Sequence, residues 1–393
     1  MRRGVNNGCI RLNPFWDDLD IGECDVCCIH YDAFLPHWRE FVDALQQYHH
    51  RLDRCDNDGT YFEISRTQLR KPVLDMIAKA LKPNHFGTFV FQLNDAGRDG
   101  LLFLKEIIPN NRSLKRLDFS NDGFENVDDV AELFEVIRNH PSLTEVNFDV
   151  WKQGVVGFDL MRTLINGCGA KLSSIDLSWC EISTEGNAAF LSDFLTTNPG
   201  LKCLDLYGNY FTDADAISIA NSLKYNTNLE RINLDGNCIT DVGGDALQKA
   251  VFDNSNLDSA DASNHTCQIE VFIESDDFGR GDFMVLNDKR ITRSPEVRRG
   301  AKIYSVLSSR NRECSNARHL GDDFQTEFIP HMLESVQIYY QHWCNAPIED
   351  EMDPRLPLSI VYEIMRGWKM PLLYEYIGKP GNDVVTAEHT KNK

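Results

Sequence analysis

The chain has 393 residues, and its hydrophobic content of 42% is enough to bury a large interior, which argues against a chain that is disordered throughout. Its 60 acidic residues outnumber its 40 basic residues, and the net charge of -20 opposes binding to nucleic acid or to anionic membranes. A neutral or basic protein partner fits this charge better.

The 12 cysteines are scattered along the chain, without the density of a small secreted disulfide scaffold. The first residues are not followed by an apolar signal sequence, and no run approaches the roughly eighteen apolar residues of a membrane span. We therefore expect reduced thiols in an intracellular protein that is cytoplasmic, with the nucleus as the alternative compartment.

Residues 1–57 are predicted to form an N-terminal helical cap. An apolar stripe at helical spacing follows Pro36 and consists of Trp38, Phe41, Val42, Leu45 and Leu52. Within the same segment, Cys24, Cys27, Cys28 and His30 are residue types that bind zinc. No second pair of ligands follows at a zinc-finger spacing, so we interpret them as a partly buried thiol cluster and predict no metal and no cofactor.

A repeat of constant length dominates residues 58–275. Five blocks of the form L-x-x-L-x-L, with conservative replacements, start 29, 29, 29 and 28 residues apart, at Leu114, Leu143, Leu172, Leu201 and Leu229. A degenerate unit with Phe86, Phe89, Phe91 and Asn94 precedes them, and a weaker one contains Phe62 and Ile64. A terminal unit is predicted to follow, with Leu257, Ala260, Ala262, His265 and Cys267 in the same phase. The segment therefore contains about 7–8 units of 28–29 residues.

Each unit divides into a strand and a helix. The ninth position of the block carries Cys180, Asn209 or Asn237, whose side chains are expected to satisfy backbone groups where the chain leaves its strand. The second half carries apolar residues at helical spacing, as at Val130, Leu133, Phe134 and Ile137. The pattern predicts an α/β solenoid shaped as a horseshoe, with parallel strands on the concave face, helices on the convex face and helical caps at both ends.

These repeats resemble the leucine-rich repeats of the ribonuclease-inhibitor-like family, which includes intracellular immune-receptor proteins. The resemblance covers roughly residues 58–275 and implies binding of proteins through the concave face. The family of the Ran GTPase activator has the same repeat type, and the resemblance makes Arg98, in an early strand-to-helix loop, a candidate catalytic arginine. The usual nucleotide, zinc-protease and hydrolase motifs are absent, so we predict a binding protein and keep GTPase activation as the alternative.

The outward positions of the strands form an acidic column with aromatic residues beside it. The predicted protein-binding residues are Asp118, Asp149, Trp151, Asp176, Ser178, Trp179, Asp205, Tyr207, Asn233 and Asp235. Acidic columns attract basic partners, and tyrosine and tryptophan are enriched at binding hot spots, although such a column is also common as a solvated face. We predict an intracellular scaffold or regulatory binding protein, with a monomer favoured.

The rest of the chain is predicted in three parts. Residues 276–300 contain a basic run and are predicted to be an irregular loop. Residues 301–377 carry three apolar stripes at helical spacing, beginning with Ile303, Val306 and Leu307, and are predicted to be helical. The polar tail 378–393 is predicted to be disordered.

Overall fold

The computed structural model describes only part of the chain. The described residues are 5–6, 9–12, 35–52, 61–65, 67, 69–82, 86–92, 94, 96–120, 127–149, 157–184, 189–273, 282–287, 294–312, 332–334, 336–337 and 360. They divide into two compact units, the first comprising Met1–Val251 with Thr266–Asp288, and the second comprising Phe252–His265 with Lys289–Lys393.

The described strands of the first unit form one sheet, in which the strands follow one another in chain order. They are β1 Val5–Asn6, β2 Cys9–Leu12, β3 Tyr61–Ser65, β4 Thr88–Gln92, β5 Arg116–Ser120, β6 Glu145–Asp149, β7 Ser174–Asp176, β8 Cys203–Asp205, β9 Arg231–Asn233, β10 Gln268–Ile273 and β11 Asp282–Leu286. Pairing is parallel from β2 to β10 and antiparallel between β1 and β2 and between β10 and β11. Parallel neighbours require a crossover, and a helix supplies it in the repeats.

Helices alternate with the strands of the first unit. They are α1 Leu35–Leu52, α2 Lys71–Leu81, α3 Gly97–Asn110, α4 Val127–Asn139, α5 Gly157–Leu164, α6 Ala189–Thr196, α7 Asp213–Leu223 and α8 Asp241–Val251. The first, fourth and sixth residues of each block are buried between strands and helices, as Leu201, Leu204 and Leu206 show. The predicted leucine-rich-repeat solenoid of the α/β class is therefore confirmed.

Side-chain ladders satisfy the backbone where the chain leaves its strands. The Asn209 amide donates to the carbonyls of Leu177 and Leu206 at 2.9 Å each, and its oxygen accepts from the nitrogens of Cys180 and Ile182. One unit later Asn237 donates to the carbonyls of Leu206 and Leu234 and accepts from the Phe211 nitrogen. The Cys180 thiol donates to the Phe148 carbonyl at 3.2 Å. The prediction for the ninth position is confirmed.

A second ladder, which the sequence analysis missed, lies where the helices lead into the strands. Asn111 donates to the Phe86 carbonyl at 2.7 Å, and Asn226 donates to the Leu195 carbonyl at 2.8 Å. His140 occupies the equivalent place, where Nδ1 accepts from the Leu143 nitrogen at 3.0 Å and burial lowers the imidazole pKa. The signal was available, because these polar residues recur three positions before a block start.

The N-terminal segment differs from a purely helical cap. Helix α1 is present, and Trp38, Val42 and Leu45 bury one face of it. The hairpin of β1 and β2 was not predicted, and it extends the sheet by pairing Cys9 and Ile10 with the first residues of β3. Covering a sheet edge with a strand satisfies the exposed backbone groups that a helix leaves unpaired.

The end of the solenoid also differs from prediction. The segment at Leu257, predicted as a repeat strand, is helix α9 Leu257–Ala262, because the Asn256 side chain caps it by accepting from the Ser259 nitrogen at 2.7 Å. Strand β10 instead continues the sheet, because it pairs in parallel with β9. Residues 276–300 are not irregular throughout, because β11 pairs with β10 and covers its edge, while α10 begins within the same range.

The second unit contains α9 and α10 Pro295–Arg312. Helix α10 starts with proline after Ser294, whose hydroxyl accepts from the Val297 nitrogen at 3.3 Å, a start signal that the sequence analysis overlooked. The hydrophobic core of the second unit contains Leu257, Ala260, Ile303, Tyr304, Val306, Leu307, Met332, Val336 and Ile360. The tail 378–393 lies outside the described residues.

Candidate functional site

The outward side of β5 to β9 forms the candidate site, called the strand face below. Its fifth block positions stand in register from strand to strand, in the order Asp118, Asn147, Asp176, Asp205 and Asn233. Neighbouring strands are roughly 4.8 Å apart, so the backbone brings these side chains into one row. The predicted column is therefore present as a geometric feature.

Asp118 differs from the other acids of the column. It is only 8% exposed, and Arg116 covers it with two hydrogen bonds, from Nε to Oδ1 at 2.8 Å and from Nη2 to Oδ2 at 3.1 Å. Burial raises the pKa of the Asp118 carboxyl, while the Arg116 guanidinium opposes that shift. Asp118 is thus a structural partner of Arg116, and its part in binding a protein stays a prediction.

Asp176 and Asp205 occupy adjacent places in the row and remain half-buried. Asp176 Oδ1 accepts from the nitrogen and the hydroxyl of Ser178, at 3.0 and 2.7 Å. Asp205 accepts from the Tyr207 nitrogen at 3.0 Å and from the Asn233 amide at 3.2 Å. All these donors are neutral, so none of these hydrogen bonds is an ion pair. Burial raises the pKa of Asp205, and the charge of Asp176 raises it further.

Trp179 and Tyr207 form an aromatic pair at the carboxyl ends of these two strands. Their ring centroids are 5.2 Å apart and the ring planes meet at 85°, the edge-to-face arrangement that aromatic pairs prefer. A Cβ atom added to Gly208 would lie 2.7 Å from the Trp179 ring, and one added to Gly236 would lie 3.3 Å from the Tyr207 ring. Each ring therefore lies against a glycine of the following repeat.

The backbone at Trp179 is unusual. Trp179 stands at the eighth block position, where the next two repeats have Gly208 and Gly236. All three residues have a left-handed conformation, with φ of 56° for Trp179 and 67° for each glycine. A left-handed conformation costs a residue with a side chain roughly 1–2 kcal/mol, whereas glycine adopts it freely. Trp179 is nevertheless 60% exposed, so burial of its ring does not account for its presence.

A depression of about 170 Å³ lies on the strand face beside the acidic row. Its charged and small lining residues include Arg116, Glu145, Ser174, Asp176, Cys203, Asp205 and Arg231. Ser174 and Cys203 occupy third block positions, where the flanking strands carry the longer Arg116, Glu145 and Arg231. The depression therefore forms where the third-position side chains become small, a signal that the sequence analysis did not use.

The two arginines at the depression are held by other carboxylates. Arg116 binds Asp118, and Arg231 binds Glu270 through Nε at 3.1 Å and Nη2 at 2.9 Å. Neither Asp118 nor Glu270 lines the depression. The lining of the depression therefore contains three carboxylates, those of Glu145, Asp176 and Asp205, and two arginines whose hydrogen-bonded carboxylate partners lie outside it.

The other predicted binding residues have simpler positions. The Asp235 nitrogen donates to the Asn233 side chain at 3.1 Å. The Asp235 carboxylate accepts from the Gly236 nitrogen at 2.7 Å. Asp149 ends strand β6. Trp151 lies outside the described residues, as do Cys24, Cys27, Cys28 and His30. Groups of three or more metal-binding side chains do not occur in the described part of the chain.

Arg98 lies in the first turn of α3, next to the strand-to-helix connection in which the sequence places it. Its side chain is exposed and is 3.9 Å from the Asp129 carboxylate. An ion pair at this distance in water is weak.

The helices within the described ranges include none long and apolar enough to cross a membrane.

Comparisons with known proteins agree with the repeat. A family model described as a leucine-rich repeat matches residues 170–191 and 225–247. A protein of Bacteroides fragilis with a solved crystal structure is similar over 51% of this chain and 66% of that chain, at 14% identity and a TM-score of 0.36. The match thus spans slightly less than two thirds of that protein's length, and it is too distant to support any further argument. None of the curated proteins matches the sequence. The matched segments and the fold together show that the chain contains leucine-rich repeats.

Proposed function

We propose that this protein is a scaffold or regulatory binding protein of the ribonuclease-inhibitor-like type, acting within the cell, and that it binds a protein partner on the strand face. The surface in question consists of Asp176, Ser178, Trp179, Asp205, Tyr207, Asn233 and Asp235, and is called the acid-aromatic surface below. It combines the exposed ring of Trp179 and the half-buried Tyr207 with carboxylates whose hydrogen-bond donors are neutral, a composition that suits a hot spot for a basic partner.

Trp179 is the observation that carries this proposal. Folding alone favours glycine at the eighth block position, which is what the two following repeats have. A tryptophan held there in a left-handed conformation, with most of its ring in solvent, costs stability and exposes apolar surface. Strain of this kind is retained at sites where it serves binding, so Trp179 is assigned as the aromatic anchor of the surface.

The edge-to-face contact with Tyr207 supports that role. Aromatic anchors contribute most to binding when their conformation is fixed beforehand, because less entropy is lost on association. Here the ring of Trp179 contacts the Tyr207 ring edge-to-face and lies against the backbone of Gly208. These two contacts restrict the ring before a partner arrives.

The double change Trp179→Ala with Tyr207→Ala tests this function. A partner recovered with the wild-type protein should bind the double variant at least about 30-fold more weakly, equivalent to ~2 kcal/mol, the lower limit for a hot spot. The matched control is Tyr225→Ala with Val242→Ala, which also removes two exposed apolar side chains but lies in the helical halves of the repeats. Equal affinity of both variants for the partner would contradict the proposal.

The alternative function, GTPase activation by Arg98, gains no comparable support. Arg98 is exposed and lies 3.9 Å from the Asp129 carboxylate. Addition of the protein to a panel of small GTPases measures this activity directly. Accelerated GTP hydrolysis that is lost in Arg98→Ala would replace the binding-protein proposal.

A further inference from the structure

We propose that the depression on the strand face receives a lysine or arginine side chain of the partner, which then pairs with Asp176 and Asp205. The inference rests on the proposed function and specifies which side chain of the partner is recognised and where. The occupant of the strand face is then an extended basic segment of the partner protein.

The shape of the depression comes from two small residues. Ser174 and Cys203 are neighbours across β7 and β8 and stand in register with Glu145 on one side and Arg231 on the other. The longer flanking side chains rise around them and leave a space of about 170 Å³. A space of that size accommodates the end of one long side chain rather than a drug-sized molecule.

The charge of the depression selects a cation. Arg116 and Arg231 already have bidentate carboxylate partners, so they add little net attraction for an anion. Glu145, Asp176 and Asp205 remain at the lining, and the acids at 176 and 205 are adjacent in the row. Two neighbouring carboxylates repel each other, and a guanidinium or ammonium placed between them relieves that repulsion.

The aromatic pair favours an extended segment over a single cation. Trp179 lies three residues beyond Asp176 along the chain, and Tyr207 lies two residues beyond Asp205. Alternate side chains of an extended peptide are roughly 6.6–6.8 Å apart on one face. A segment with cationic residues at alternate positions therefore places one in the depression and brings the next towards the rings, where a cation is attracted to the aromatic faces.

The test uses a defined peptide of alternating lysine and threonine, with norleucine in place of lysine as the neutral control of equal length. At low ionic strength the lysine peptide should bind the full chain, and the norleucine peptide should bind at least about tenfold more weakly, equivalent to ~1.4 kcal/mol. Equal binding of both peptides would overturn the inference, because recognition would then not depend on charge.

Cysteine labelling locates the peptide. Cys203 lies in the depression and is half-buried, whereas Cys238 is exposed and does not line it. Bound lysine peptide should slow alkylation of Cys203, measured by mass spectrometry of the labelled sites, and leave the rate at Cys238 unchanged. Equal protection of both cysteines, or of neither, would contradict insertion into the depression.

A substitution separates shape from charge. Cys203→Trp fills the depression while every carboxylate remains, and Cys203→Ala leaves the space open. The tryptophan variant should lose lysine-peptide binding and the alanine variant should retain it, with circular dichroism and urea unfolding used to confirm that both variants fold. If the tryptophan variant folds and still binds the lysine peptide normally, the acids act without the depression and the inference fails.

One outcome separates this inference from the proposed function. If the lysine peptide never binds, while partner binding is still weakened by Trp179→Ala with Tyr207→Ala, this inference fails and the proposed function stands.

Discussion

The ring of Trp179 lies edge-to-face against that of Tyr207, at 5.2 Å between centroids, and in direct contact with the backbone position of Gly208. The two aromatic residues come from successive repeats, so the repeat spacing itself fixes their separation. The Trp179 backbone nitrogen also donates to the Tyr207 carbonyl at 2.8 Å, which continues the sheet pairing beyond the strands.

Trp179→Gly should separate stability from binding. Glycine adopts the left-handed conformation without the cost of about 1–2 kcal/mol that a side chain incurs, and the next two repeats already use it. We expect the variant to be at least as stable as wild type in urea unfolding, while its affinity for a partner falls. A loss of stability together with unchanged affinity would mean that Trp179 serves the fold.

Gly208→Ala should displace the Trp179 ring. The added Cβ would lie 2.7 Å from that ring, and the φ of 67° is unfavourable for alanine, so we expect a destabilisation of roughly 1–2 kcal/mol. In the background of Trp179→Ala, the same change should cost less, because the clash is gone. Gly200→Ala is the matched control, since a Cβ there meets no atom within 4 Å. Equal costs in both backgrounds, measured by urea unfolding, would exclude the ring contact as the cause.

Asn209→Ala should be one of the most damaging single changes in the first unit. It removes hydrogen bonds donated to three carbonyls and accepted from two backbone nitrogens, at a residue that is only 2% exposed. We expect a loss of about 2–4 kcal/mol in the free energy of unfolding, because buried polar groups lose their partners. Asn110→Ala serves as the control, since that exposed side chain donates only to the Glu106 carbonyl on its own helix, at 2.7 Å. Similar costs for the two variants would show that the ninth-position ladder does not stabilise the fold.

The second unit should lose stability in acid through His265. Burial, followed by the charge of Lys302, lowers the pKa of His265 from 6.5 to about 4. Nδ1 of the neutral ring is 3.2 Å from the Lys302 ammonium, and Nε2 is 3.0 Å from the Asp261 carbonyl. The unfolded chain binds the proton first as pH falls, so stability that is present above pH 6.5 is lost progressively down to about pH 4.

Hydrogen exchange of α9 and α10 measures this effect. The full loss amounts to roughly 3 kcal/mol over that window. His265→Gln places a non-titrating amide at the site, so its protection factors, which correct for the intrinsic pH dependence of exchange, should change much less between pH 6.5 and 4 than those of wild type. The same acid sensitivity in that variant would assign the effect to another group.

Lys302 acts in a separate pH window. Burial lowers the pKa of Lys302 from 10.5 to about 7, so its protonation destabilises the second unit as pH falls from 10.5 to 7.

The sequence was sufficient to predict the solenoid because its core is periodic. The buried positions seen at Leu201, Leu204 and Leu206 recur at fixed phase in the other repeats, and the ninth position, occupied here by Asn209, marks the exit from the strand. The ends were harder to predict, because a cap contacts only one neighbour and need not follow the repeat. The hairpin of β1 and β2 and strand β11 are therefore invisible to a search for the period, and the local cap at Asn256 outweighed the leucine phase at Leu257.

The candidate site was predicted in outline and not in detail. The positions of Asp176, Asp205, Trp179 and Tyr207 follow from the period alone. The burial of Asp118 does not, because it depends on the conformation that Arg116 adopts within its own strand. The left-handed backbone of Trp179 also required the structure, although glycine at the eighth position of the next two repeats was a readable sign.

The central claim, that the acid-aromatic surface binds a protein partner, is tested most directly by affinity capture with a charge-reversed surface. Asp176→Lys with Asp205→Lys is compared with wild type, and Asp193→Lys with Asp245→Lys on the exposed sides of α6 and α8 provides a control of equal charge change. We expect a partner that binds wild type and the helix control but is absent from the strand-face variant. A folded strand-face variant that retains every partner of the wild type would contradict the account.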